Sequence, residues 1–323
     1  MTLFQRRIIY VSYLPLGARQ PPPLAELRAS GELGSLEAHD VVLRSEDNTY
    51  LQGYVFGRRS AEAAATRGRS ASVLEFPSPV LIYFQGNAGN MLHRLPVFER
   101  MLAHAPAGTR VVAVHTRGYG GSGGRPTEKG LRRDARAILA YVGQAFPDQP
   151  VVLYGHSLGG AVAVQLAADT AAAGVAERRI NGLMLENTFT SMQDLVTAIF
   201  PRWLPYAWLA RFVLLDRWET EHTLQRMAGA LPATLLLVGE RDELIPACMS
   251  ARLAAALGNA SATSATPAAS ASPAANDVTM PTGLYRFPHG LHENTYLQPR
   301  YSVVVGQFLR DCAMAAGRGV QAV

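Results

Sequence analysis

The chain has 323 residues, enough for one large α/β domain or two small ones, and its 48% hydrophobic and 17% charged composition suits a protein with a sizeable core. Its formal charge of +5 is almost wholly arginine, with Lys129 the one lysine, and no compact basic or basic-aromatic run argues for a nucleic-acid partner. Cys248 and Cys312 are too few and too far apart for a disulfide framework or a zinc cluster, and no stretch reaches the ~20 apolar residues of a membrane span.

In chain order, Met1–Tyr13 carries Ile8-Ile9-Tyr10-Val11 behind Arg6-Arg7. That run is too short for a signal-peptide core and is expected as a strand or a short surface helix. Val41–Arg44 and Leu51–Phe56, separated by Asp47-Asn48, predict an antiparallel hairpin at a sheet edge. Arg58–Ser78 is rich in Ala, Arg and Ser and reads as a flexible loop. From residue 79 onward, short continuous apolar runs alternate with helical stretches, the pattern of a mostly parallel sheet flanked by helices. The predicted strands are Val80–Phe84, Val111–Val114, Val151–Tyr154, Gly182–Leu185 and Leu235–Val238, and the predicted helices Met91–Ala103, Glu128–Gln144 and Leu158–Ala172. Asn187–Met227 contains the aromatic, proline-bearing Phe200–Trp208 and is expected as a small helical lid insertion. Asn259–Pro281 is Ala, Ser, Thr and Pro with almost no charge, a composition that cannot bury a core and predicts a disordered excursion. No segment requires a second domain, so residues 1–323 are expected to form a single one.

Gly155-His156-Ser157-Leu158-Gly159 follows the pattern G-x-S-x-G of a sharp strand-to-helix turn that thrusts a nucleophilic serine outward. Gly120-Gly121-Ser122-Gly123-Gly124 satisfies the same pattern, and context separates the two. Ser157 follows a buried apolar run and precedes a strong helix former, whereas Gly-Gly-Arg-Pro after Ser122 cannot continue at once as a helix. Ser122 is therefore expected in a flexible loop lining the site entrance. A serine hydroxyl needs an imidazole to take its proton, and on this scaffold the acid and then the histidine follow in the chain, each after a strand. Asp242, just past Leu235–Gly239, is the expected acid, with Glu240 and Glu243 as neighbouring alternatives. His292 is the expected base, His289 a loop residue, and His156 a packing residue inside the turn.

The anionic tetrahedral intermediate of acyl transfer needs backbone donors placed in advance. Leu158 N–H, directly after the nucleophile, supplies one. Gly86 lets the Phe84–Asn90 loop approach closely, so the N–H of Asn87, or alternatively Ala88, supplies the other. That Gly-rich loop lacks the phosphate-binding patterns, and no cofactor or metal is expected.

Six motifs in order, Phe84–Asn90, Arg117–Gly123, Gly155–Gly160, Glu186–Ser191, Gly239–Pro246 and Gly290–Asn294, resemble the eukaryotic α/β-hydrolase-domain-containing proteins. The similar branch includes protein depalmitoylases and lysophospholipid or monoacylglycerol hydrolases, and the resemblance spans about residues 36 to 312. It implies the α/β-hydrolase fold, a triad of Ser157, Asp242 and His292, and an oxyanion hole from the Asn87–Ala88 turn with Leu158. Gln85 departs from the family by standing where histidine usually precedes the glycine. The family's usual N-terminal membrane anchor, a span or a cysteine cluster, has no counterpart in the sequence. The expectation is a cytoplasmic serine hydrolase with at most peripheral membrane contact, cleaving a small-molecule or lipid-like ester or thioester whose acyl group is expected to be apolar, given the aromatic Phe200–Trp208 segment in the lid position. A peptidase or amidase on the same scaffold and an inactive binding protein are the alternatives.

Overall fold

The continuous apolar runs become strands of one eight-stranded sheet in the computed structural model, which describes residues 5–59, 77–174, 180–199, 214–227, 229–261 and 282–320. The strands are β1 (Leu36–Arg44), β2 (Tyr50–Arg58), β3 (Val80–Phe84), β4 (Arg110–Val114), β5 (Val151–His156), β6 (Ile180–Glu186), β7 (Ala233–Gly239) and β8 (Thr282–Phe287). Their order across the sheet is β1-β2-β4-β3-β5-β6-β7-β8. The pairings β1–β2 and β2–β4 are antiparallel, and every other pairing is parallel.

Two helical layers explain why the central strands show no polar alternation. Val80, Ile82 and Phe84 of β3 pack toward α4 (Glu128–Ala145) and α5 (Leu158–Ala173), with α7 (Thr220–Arg226) and α8 (Ala247–Ser261) in the same layer. Leu81 and Tyr83 pack the opposite way, toward α3 (Leu95–Ala103), α9 (Tyr301–Val320) and α2 (Leu24–Ser30). Each fully buried aliphatic side chain in these layers stabilises the fold by about 1.5–3 kcal/mol. Also helical are α1 (Gln5–Ile9) and α6 (Met192–Ile199), both short.

The predicted hairpin is present but longer, pairing Leu36 with Arg58 through Arg44 with Tyr50. Polar Glu37, His39 and Asp40 conceal the first half of β1, and an edge strand tolerates them because its outer rim faces water. No expectation covered α2, α8, β8 or α9. α9 carries Val304, Val305, Phe308, Leu309 and Cys312 at helical spacing, all buried. β8 is short and interrupted by Gly283 and Arg286, which weakens its strand signal. α8 continues through Ser261, three residues into the stretch read as disordered from Asn259; residues 262–281 lie outside the described residues. The same holds for 60–76 of the expected loop and for 200–213 of the expected lid, whose described parts are α6, the return leg 214–219 and α7.

Because β3, β5, β6, β7 and β8 run parallel, their C-terminal ends share one edge of the sheet. Residues following these strands converge there although they are distant in sequence.

Candidate active site

β5 ends at His156 and α5 begins at Leu158, leaving Ser157 to turn the chain with φ 53° and ψ −118°. Such a left-handed, non-glycine backbone is strained by roughly 1–3 kcal/mol and persists only where its surroundings impose it. Here Ser157 N–H donates to Glu186 O (2.9 Å), and its carbonyl accepts from Thr188 Oγ1 (2.7 Å) and Gly160 N–H (2.9 Å). The glycines permit contacts that side chains would block. A Cβ on Gly159 would stand 2.0 Å from Phe84 O, and one on Gly155 2.3 Å from Gly159 O. Gly159→Ala must therefore push the elbow helix off the end of β3. We expect a loss of about 3 kcal/mol of stability, read as a lowered urea midpoint at unchanged slope, and an unchanged midpoint would refute the packing argument.

The expected acid and base, Asp242 and His292, follow β7 and β8. His292, only 3% exposed, donates from Nδ1 to Asp242 Oδ2 at 2.9 Å, and Asp242 Oδ1 accepts from Leu244 N–H and Ile245 N–H, each at 2.8 Å. The main chain of His292 is held as firmly. Its N–H donates to Glu243 Oε2 (3.0 Å), and its carbonyl accepts from His156 Nε2 (2.9 Å) and Asn187 Nδ2 (3.0 Å). Among the described residues, no hydrogen bond engages His292 Nε2. The structure thus pairs Asp242 with the histidine, gives Glu243 a supporting contact, and leaves Glu240 and His289 exposed.

Burial works against a charged His292, but the hydrogen bond and charge of Asp242, with Glu293 and Glu186 beyond, outweigh it and raise the imidazole pKa above its ordinary 6.5. His156 behaves oppositely. Burial lowers it to about 4, so it is neutral near pH 7, with its proton on the donating Nε2. Glu186 is pushed up to about 7 by burial, opposed by the hydrogen bond from Tyr154 OH (2.6 Å). His156, His292 and Glu293 bring potential metal-ligating atoms within 4.8 Å of one another. Nε2 of His156 and Nδ1 of His292 are already engaged in the hydrogen bonds above.

The loop after β3 lies against the elbow: a Cβ on Gly86 would be 3.1 Å from His156 Nδ1 and 3.5 Å from Ser157 Cβ. Asn87 is exposed and Ala88 half-buried at its tip. Gln85 donates from Nε2 to Gly89 O (3.2 Å), so it braces the loop from within where the family usually carries histidine. Residues 9–18, for which no such role was expected, brace the same loop from outside. Asn87 Nδ2 donates to Ile9 O (3.3 Å), Gly89 N–H to Leu14 O (2.7 Å) and Asn90 Nδ2 to Ala18 O (3.1 Å), while Ala88 bridges Val11. Trp218 Nε1 bonds Tyr10 OH at 3.0 Å and Arg6 pairs with Asp216 at 3.1 Å, tying this N-terminal strap to the return leg of the 187–227 insertion.

Ser122 is not in a flexible entrance loop. It is wholly buried, donates to His115 O (2.6 Å) and accepts from Gln52 N–H (3.0 Å), while Gly123 N–H is bound to Tyr50 O. Its turn is pinned to β2 because buried polar groups must find partners. Beside the elbow, a small cavity is walled by Phe84, Met91, Tyr119, Leu131, Leu158 and Val162.

A mostly parallel eight-stranded sheet, layered by helices and delivering a strained serine from β5 to a helix N-terminus, defines the class: this is an α/β-hydrolase fold. The comparisons agree. Residues 79–217 match the alpha/beta hydrolase fold family. The chain is 29% identical over 310 residues to Protein bem46 of Schizosaccharomyces pombe, covering 95% of this chain and 86% of that protein. It is 30% identical over 256 residues to the alpha/beta hydrolase domain-containing protein WAV2 of Arabidopsis thaliana, covering 76% and 73%. Over 199 residues it is 32% identical to the lysophosphatidylserine lipase ABHD12 of Danio rerio, covering 59% and 48%. Among solved structures, an alpha-beta hydrolase from Vibrio vulnificus superposes with a TM-score of 0.64 at 19% identity, over 94% of this chain and 92% of that one. The chain belongs to the α/β-hydrolase family, among its eukaryotic-type domain-containing members. No helix among the described residues is long and apolar enough to cross a membrane.

Proposed function

We propose that the chain is a serine hydrolase that cleaves a carboxylic ester or thioester with an apolar acyl group, using Ser157 as nucleophile, His292 as base and Asp242 as its orienting acid. The observation that carries this reading is the Asp242–His292 hydrogen bond of 2.9 Å, held on the sheet edge where the strained Ser157 emerges. Neutral His292 takes the proton from Ser157 Oγ through Nε2 as the oxygen attacks the acyl carbon. Asp242, accepting from Nδ1–H, keeps Nε2 the accepting nitrogen and stabilises the imidazolium that forms. The N–H of Leu158 and that of Asn87 or Ala88 receive the oxyanion. The imidazolium then returns its proton to the leaving alcohol or thiol. Water, activated by the same histidine, releases the acid and restores Ser157.

The apolar acyl preference rests on exposed Leu244 and Leu291, which neighbour the acid and base in sequence. The lipase among the relatives points the same way. The aromatic segment Phe200–Trp208 lies outside the described residues. A p-nitrophenyl ester panel tests the proposal. With each buried methylene contributing about 0.8 kcal/mol, octanoate should exceed acetate in kcat/KM by about tenfold or more. Preference for acetate would remove the apolar acyl site, and no turnover of any ester by folded protein would remove the hydrolase.

A further inference from the structure

We propose that Asn187 is a positioning residue of this site: its single buried side-chain amide fastens the acid loop to the base loop from β6, a strand that supplies neither. The inference rests on the hydrolase reading above for its kinetic consequences. The clamp itself is a matter of geometry.

Asn187 directly follows β6, is 1% exposed and holds a left-handed backbone at φ 46°. Asparagine is among the few non-glycine residues that adopt this conformation readily. Its main-chain N–H donates to Leu237 O of β7 (3.1 Å). Its side chain then reaches both ways. Oδ1 accepts from Gly239 N–H (2.8 Å), three residues before Asp242. Nδ2 donates to His292 O (3.0 Å), Thr295 Oγ1 (2.9 Å) and Leu291 O (3.2 Å), so its two protons serve three acceptors. The two loops also touch directly beside it, through Arg241 N–H to Gly290 O (2.9 Å) and Glu240 N–H to Phe287 O (3.0 Å).

This chemistry needs a primary amide on a short stem. The group must accept on one atom and donate twice from another, in a plane bridging two strand ends. A carboxylate of the same shape would keep the acceptor for Gly239 but turn a second oxygen against two carbonyl oxygens. With Asn187 in place, the His292 peptide is held by Glu243 on one side and by Asn187 and His156 on the other. The ring orientation is then set by Asp242, whose own loop springs from the strand end that Asn187 holds. A merely space-filling role predicts lost stability with unchanged chemistry per folded molecule. A positioning role predicts a loose Asp242–His292 pair, and displacement of about 1 Å at such a pair can lower turnover by about 100-fold.

The test compares the full-length chain with Asn187→Asp and with Asn187→Gly. The glycine variant keeps the left-handed backbone without strain while deleting the amide. Folded protein is quantified by circular dichroism below each variant's unfolding transition. Turnover of a p-nitrophenyl ester and the downfield proton resonance of His292 Nδ1–H are then measured. We expect kcat to fall about 30- to 100-fold with KM changed by less than about threefold, and the resonance to shift or broaden away. Wild-type kcat and an unaltered resonance in either folded variant would overturn the proposal. A wild-type chain without ester turnover would instead indict the hydrolase reading, and the resonance would still report on the clamp.

Discussion

Ser157→Ala is expected to leave the folded chain unlabelled by a fluorophosphonate and to lower kcat for a p-nitrophenyl ester by about 10⁴-fold or more, equivalent to at least about 5.5 kcal/mol of barrier. The size follows from the division of labour. In the proposed mechanism the hydroxyl forms the covalent bond, and what survives its removal is only the stabilisation that the oxyanion donors give to a direct attack by water. The elbow supplies a control for misfolding, because Ser157 sits at φ 53°. Ser157→Gly removes the nucleophile and relaxes the backbone together, so it should be equally inactive yet more stable than Ser157→Ala by about 1 kcal/mol. Labelling of either variant at the wild-type rate would place the nucleophile elsewhere.

Asp242→Asn should lower kcat by about 10³- to 10⁴-fold while leaving the loop folded. An amide oxygen can still accept from Leu244 and Ile245 N–H, as Oδ1 does now. Its NH₂ then faces His292 Nδ1 and drives the ring proton to Nε2, the nitrogen that must accept from Ser157. The pH dependence moves as well. As the proposed base, His292 works only when neutral, and its pKa is raised, so wild-type activity is expected to rise with pH through a midpoint above 6.5. Without the carboxylate, burial is the larger influence left on the imidazole, and it lowers the pKa. The acid limb of kcat/KM should therefore shift to lower pH. A shift to higher pH, or none, would show that Asp242 does not govern the base. Linkage adds a stability signature. The raised folded-state pKa stabilises the protein below the unfolded pKa of histidine, a contribution lost as pH rises through the folded value, and Asp242→Asn should abolish it.

Much of the scaffold could be read from local pattern alone. Val80–Phe84 was recovered to the residue because a strand buried on both faces can hold only apolar side chains. Glu128–Ala145 and Leu158–Ala173 match the expected helices to within a residue at their ends, since Thr127 caps the first by accepting from Gly130 N–H and the G-x-S-x-G turn opens the second. β1 was half missed because an edge strand can carry polar residues. The two G-x-S-x-G copies were told apart by their flanks, yet the pinned, buried state of Ser122 could not be foreseen, since its partners are Gln52 and His115.

Local pattern suffices for the class: a parallel sheet, a G-x-S-x-G turn after its fifth strand, and a carboxylate and a histidine following in order. Those features are written in residues a few positions apart, where period, turn chemistry and propensity act. Long-range packing adds that Asp242, the expected acid, is the carboxylate that meets His292, that Asn187 joins their loops, and that residues 9–18 brace the Phe84–Asn90 loop. Each of these is a contact between groups about 50 to 105 positions apart. Spacing past the strand end favours Asp242 over Glu240 and Glu243, and the convergence of parallel strand ends is what brings its carboxylate to the imidazole.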